Sequence, residues 1–230
     1  MFANFDFDVI ARTWQVLIFQ GLAFTLQVTV LAMAGGVVLG TLLAMMRLSS
    51  IKPLSWVAAG YVNLLRSIPL VLVIFWFYFL VPYIGAWIIG SPRPIKVGAF
   101  TSALLTFILF EACYYCEIMR AGIQSIPSGQ ASAAQALGLN YWQLMAHVVL
   151  PQALRNMTPV LLTQTIVLFQ DVSLVYIISL PDFVTIASKV AQRDGRLIEM
   201  YLFVAVVYLV ICLILSYWVK RLQSRIAIAR

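Results

Sequence analysis

Charge is scarce in this chain. Of its 230 residues, 10% are Asp, Glu, Lys or Arg and one is histidine, while 63% are hydrophobic. Soluble domains carry about 25% charged and about 45–50% apolar residues. A soluble core has no use for so much apolar surface, and the mean hydropathy of +0.98 points to lipid as the solvent. With His147 the sole histidine, no zinc-spaced Cys/His cluster and no nucleophile–base arrangement is present, so no enzyme is expected. The pattern G-x-x-x-x-G-K-[ST] is missing, so the chain has no phosphate cradle and is expected to bind no cofactor itself. Cys113, Cys116 and Cys212 all fall in apolar segments, which excludes a disulfide framework. "CYYC" at 113–116 has redox spacing, but inside an apolar helix with two glutamates it reads as packing. The opening "MFANFDFDVIAR" lacks a basic n-region, so no cleavable signal peptide is expected and the first span serves as its own anchor. The formal charge of +7 sits mostly beside apolar runs, which fits topology and lipid headgroups rather than nucleic acid.

What is present is a series of runs long enough to cross a bilayer, which takes about 20 apolar residues. No charge falls between Arg12 and Arg47. The reading is an all-α integral membrane protein with five transmembrane helices, near 20–46, 67–87, 98–120, 153–178 and 197–219. Residues 1–19 form an N-terminal segment, 121–151 a long loop and 221–230 a tail. Gly35, Gly36 and Gly40 offer close helix packing in span 1. "LSSIKPLSWVAAGYVNLLR" at 48–66 has apolar positions at helical spacing and fits an interfacial helix. Placing the N-terminus outside puts Arg47, Lys52, Arg66, Arg120, Arg155, Lys220, Arg221, Arg225 and Arg230 inside. Arg12, Arg93, Lys96, Lys189, Arg193 and Arg196 are then outside. That bias supports an N-terminus out, C-terminus in topology.

The segment "SAAQALGLNYWQLMAHVVLPQALR" at 132–155 is too polar to span lipid although spans flank it. Ala131, Ala134 and Leu137 share a helix face, Gly138 suits a left-handed helix end, and Asn140 suits the cap of a second helix. Pro151 marks a boundary before span 4. On pattern alone this is a helical hairpin, either packed on its own bundle or open to another protein.

Ala133-Ala134, then Gly138, nine residues and "VVLP" at 148–151 resemble the signature loop of bacterial type I ABC importer permeases. "EACYYCEIMRAGIQSIPSGQ", "LPQALRNMTPVLLTQ", "LFQDVSLVYIISLPDF" and "LLRSIPLVLVIFWFY" extend the resemblance over most of residues 20–220. They are similar to the polar-amino-acid, histidine-permease-like branch, and within it to the glutamate/aspartate importers. The resemblance implies a permease in the bacterial inner membrane and a coupling helix built around Ser132, Ala133, Ala134, Gly138, Leu150 and Pro151. It also implies an ATPase dimer carrying ATP-Mg, a second permease and a periplasmic amino-acid-binding protein. Ser132 stands where the family's loop usually has an acid, so a charge contact to the ATPase is missing there or supplied elsewhere.

Ionisable groups at membrane depth are functional candidates by default. Glu111 and Asp171 are expected to face a central cavity and to offer a site for an ammonium; their alternative is pairing with Arg66, Arg120 or Arg155. Glu117, three residues from Arg120, reads as an i,i+3 ion pair. Gln164, Gln170 and Ser173, with Thr163 and Thr165, offer hydrogen bonds to carboxylates. Arg66 is the best cation for an acidic substrate, although its place before span 2 favours snorkelling to the interface. "PDFVTIASKVAQRDGR" at 181–196 reads as an amphipathic outer segment that contacts a binding protein or caps the bundle. A secondary transporter or channel without an ATPase, and a non-transporting scaffold, are the rival readings.

Overall fold

The computed structural model describes residues 5–226; Arg230 and the end of the 221–230 tail lie outside them. The described residues form helices α1 (Asp8–Arg47), α2 (Lys52–Arg66), α3 (Leu70–Ile88), α4 (Ala99–Gln124), α5 (Ser128–Ala136), α6 (Tyr141–Ile178), α7 (Phe183–Asp194) and α8 (Leu197–Ile226). Five of these, α1, α3, α4, α6 and α8, are long and apolar enough to cross a membrane. Two extend well beyond the expected spans: α1 begins at Asp8 rather than near 20, and α6 at Tyr141 rather than near 153.

The largest helix contact is between α1 and α4. Gly35 faces Ile108, Gly36 faces Glu111 and Tyr115, and Gly40 faces Ala112, Tyr115 and Cys116, so the two helices run parallel. A Cβ on Gly40 would sit 2.8 Å from the Tyr115 Cβ and 3.0 Å from the Ala112 carbonyl oxygen. In lipid, where apolar surface gains little by association, such close backbone approach supplies the packing energy. Beyond it, the Arg47 side chain meets Glu117, which also pairs with Arg120 at 2.7 Å as the i,i+3 spacing predicts. Three apolar clusters follow one another along α1. Val9 and Leu17 pack with α7 and α8, and Val28 and Ala32 with α3, α4 and α6. Leu43 and Ala44 pack with α2, α4 and the first half of α6.

α2, read from the sequence as an interfacial helix, packs one of its faces on the bundle. Ala58 and Val62 are fully buried in the third of those clusters, and the Tyr61 hydroxyl donates to the Leu109 carbonyl of α4 at 2.9 Å. The opposite face exposes Trp56, Val57 and Leu64. That face also carries Lys52, Asn63 and Arg66, so α2 is amphipathic and meets the bundle by its Ala58 and Val62 side. α2 therefore climbs alongside α4, and the chain breaks at Ser67–Pro69 before continuing as α3.

Pro151 stands in the first turn of the regular α-helical part of α6, Leu150–Asp171, so the boundary it marks is a change of helix geometry and not a break in the chain's course. A π-turn at Met145–Val149 precedes it, with the Leu150 N–H bonded to the Met145 carbonyl. The wider turn accommodates a ring that would clash with a regular helical carbonyl.

Replacing Gly40 with leucine forces the α1–α4 contact apart, an overpacking cost of about 1–3 kcal/mol. At Gly60, by contrast, an added Cβ would meet nothing within 4 Å. Thermal melting in mild detergent should drop for Gly40→Leu and hold for Gly60→Leu; equal melting of the two variants contradicts the packing.

Candidate functional site

Two regions combine unusual chemistry with geometry that the bundle fixes. The first lies midway along α4. Glu111 is fully buried, and Gln164 of α6 donates from Nε2 to its Oε2 at 3.0 Å, while its Oε1 has no partner among the described residues. One turn along, the Tyr115 hydroxyl and Thr165 Oγ1 lie 3.1 Å apart, a second rung between α4 and α6. Tyr114, on the neighbouring face, is half-buried, and the Arg66 guanidinium carbon sits 5.2 Å from its ring centroid. Such stacking favours a cation over the ring face. Asp171, half-buried at the end of the regular α-helical part of α6, is close enough for its charge to act on both Glu111 and Tyr114.

Arg66, exposed at the last residue of α2, thus lies level with Tyr114, midway along α4. Neither Glu111, Asp171 nor Arg66 forms an ion pair among the described residues, so the structural alternative for the two acids does not hold. Ser173 follows in the 3₁₀ turn Val172–Ile178, half-buried. Gln170 is separated from the group: its Nε2 points to Cys212 of α8 at 3.3 Å. Thr163 and Thr165 hydroxyls donate back to the Pro159 and Leu161 carbonyls of their own helix. Tyr114 was not legible as a site residue, hidden in a run of aromatic and sulfur side chains; its i,i+3 relation to Glu111 was the available signal.

The second region is the hairpin of α5 and the start of α6. Gly138 has φ +82°, the left-handed turn expected of it, and Asn140 and Gln143 form a reciprocal capping box at 3.0 Å. Ala134, Leu144 and Val149 pack together and hold the hairpin closed. Ala133, Leu150 and Pro151 are exposed, and the Ser132 hydroxyl donates to the Ser128 carbonyl of its own helix. Leu137 does not share the inward face of Ala131 and Ala134, since the turn at Gly138 throws it outward. It is 82% exposed, and Trp142 beside it 78%. Between Arg120 and Arg155 the chain has no Asp, Glu, Lys or Arg. The hairpin presents a neutral apolar crest.

At the opposite end of the bundle, α7 is amphipathic as read: Phe183, Ala187 and Ala191 are buried, Lys189 and Arg193 exposed. Asp182 caps it, accepting from the Val184 and Thr185 N–H groups at 2.9 and 3.0 Å. Burial pushes that carboxyl above its usual range, against the opposing hydrogen bonds.

Comparison with known proteins places this architecture. Residues 36–228 match the family described as binding-protein-dependent transport system inner membrane component. The glutamate/aspartate import permease protein GltK of Escherichia coli O157:H7 is 51% identical over 97% of this chain and 99% of its own. The probable glutamine ABC transporter permease protein GlnM of Bacillus subtilis is 34% identical, over 90% and 92%. Among solved structures, an amino acid ABC transporter with histidines superposes with a TM-score of 0.86 at 31% identity, covering 96% of this chain and 98% of that one. Subunits of this kind are transport components and not enzymes. The chain belongs to the binding-protein-dependent transport system inner membrane components, as a multi-pass permease subunit of an amino-acid ABC importer.

Proposed function

We propose that the chain forms half of the translocation path of an ATP-driven glutamate/aspartate importer and that the group around Tyr114 contacts the substrate. One observation carries the site: Arg66 and Asp171, opposite charges without ion-pair partners among the described residues, both act on a half-buried tyrosine midway along α4. An amino acid is a zwitterion. A guanidinium takes a carboxylate by paired N–H donors, and a carboxylate takes the ammonium. Glu111, behind the surface, holds the Gln164 amide in place and keeps one oxygen unbonded beside the same group. Ser173 adds a hydroxyl. The acidic preference draws its support from the likeness to GltK.

In this reading the N-terminus is outside, the C-terminus inside, and a second permease of the same fold completes the path. An external amino-acid-binding protein delivers the substrate over the face that carries α7. An ATPase dimer holding ATP-Mg docks on the crest around Leu137 and Trp142, with Ser132, Ala133, Ala134, Gly138, Leu150 and Pro151 shaping the hairpin. Closure of the ATPases moves the hairpins together, and α6 carries that movement to Asp171, exchanging outward access for inward access.

Asp171→Asn and Arg66→Gln should each lower initial uptake of labelled glutamate about tenfold or more at equal membrane abundance, the size of a lost charge-assisted hydrogen bond. Gln170→Ala, turned toward α8, should lower it far less; uptake unchanged in both charge variants rules the site out. For the hairpin, Gly138→Val places a branched side chain at positive φ, a strain of about 1–2 kcal/mol. ATPase retained on purification in mild detergent should fall for Gly138→Val and not for Gly129→Ala, whose surroundings are open. Equal retention rejects the hairpin as the docking element.

A further inference from the structure

A chamber of about 690 Å³, open on one side, lies between the end of α4, the start of α5, the part of α6 just past Pro151 and the last turns of α8, and its Gln130, Arg155, Asn156 and Gln223 are exposed. Among the described residues Arg155 is the one charged lining residue, and it forms no ion pair with any of them. Ser125 and the amides of Gln130, Gln152, Asn156 and Gln223 surround it. Asn156 Nδ2 donates to Ser125 Oγ at 2.8 Å and Gln152 Nε2 to the Val148 carbonyl at 2.9 Å, which leaves the Gln130 and Gln223 amides without partners among the described residues. Among the described residues no carboxylate lines the space. Its volume is in the range of small-molecule pockets. One guanidinium and free amide donors, with no acid, select a small molecule bearing a carboxylate and select against a cation.

The chamber is also in line with the group around Tyr114. Val160, which lines it, shares a face of α6 with Gln164 and Asp171, at spacings of four and seven residues. One strip of α6 therefore carries both places.

We propose that this chamber is a separate inner-face site for the carboxylate of an acidic amino acid, and that filling it from the cytoplasmic pool slows the transport cycle. The proposal rests on the substrate class and orientation given above. In the cycle proposed above the hairpin of α5 and α6, which carries Gln130 and Arg155, moves as one unit against α8, which carries Gln223. A ligand bridging them favours the arrangement in which all three converge, and a ligand with such a preference shifts the equilibrium toward that state.

The test uses the complete transporter in nanodiscs, with permease pair, ATPase and binding protein already saturated with glutamate. ATP hydrolysis is followed as free glutamate is raised far beyond that saturation. Wild-type hydrolysis should fall about fivefold or more, in the range of ordinary coupling between sites. Glutamine at equal concentration, lacking the second carboxylate, should inhibit less. Arg155→Gln should abolish the inhibition and Arg155→Lys should retain part of it. Inhibition that is absent in wild type, or equal in wild type and Arg155→Gln, overturns the proposal. So does loss of the ATPase from the purified Arg155→Gln complex, which makes the chamber a seat for the partner. Dependence on the anionic-lipid fraction instead of on glutamate overturns it in favour of a lipid phosphate. Glutamate uptake by the wild-type transporter in proteoliposomes with no internal glutamate is measured in parallel. Its absence refutes the substrate class itself, whatever Arg155 does.

Discussion

The contact of two backbones, α1 against α4, is the constraint on which the rest of this permease is built. Lipid tails are as apolar as leucine, so helices in a bilayer gain little by hiding apolar surface from one another. They hold together where they fit. Gly36 and Gly40 leave room on α1 for the Tyr115 side chain and for the turn of α4 around Ala112. Because that pairing is parallel, the chain must cross back before α4 begins; α3 is long and apolar enough to do so, and α2 leads into it. α2 settles against both helices through Ala58, Val62 and the Tyr61 hydroxyl. The position of Arg66 is a consequence of that contact, and so is its meeting with Tyr114.

The charges sort themselves into two kinds by the same geometry. Where neutralisation is available the chain uses it: Glu117 braces Arg47 to Arg120, and Arg196 meets Asp6 and Glu199 at the other end. In the middle it does not. Glu111 has an amide partner for one oxygen only, and Asp171 and Arg66 have no counter-ion among the described residues. Isolated charge within a spanning bundle is expensive, and a bundle built only to stand up would have paired or removed it.

Much of this was legible from residue order. The charge-free runs mark the spanning helices, Gly138 and Asn140 mark the hairpin, and the three-residue step from Glu117 to Arg120 marks the brace. What escaped depended on depth and rotation. Depth placed Arg66 level with Tyr114: its neighbours in sequence are those of an interfacial helix, and only the small Ala58, buried where α2 meets the bundle, hinted at that contact. Rotation separated Gln170 from Asp171, since successive residues on a helix point about 100° apart. Pro151 misled as to the start of α6, because the turn that absorbs it is a π-turn, which has no simple sequence signature.

That π-turn has a mechanical consequence. By passing Pro151 without a break, α6 runs from the capping box at Asn140 to Asp171 as one rod of about 45 Å at 1.5 Å per residue. Its stiffness comes from main-chain hydrogen bonds, not from side chains along the way. That ladder is interrupted at three places, the π-turn near the foot, Pro159 in the middle and the 3₁₀ turn at the head. Side chains such as Gln164 and Thr165 are thereby left to make lateral contacts to α4, while the backbone carries the stroke.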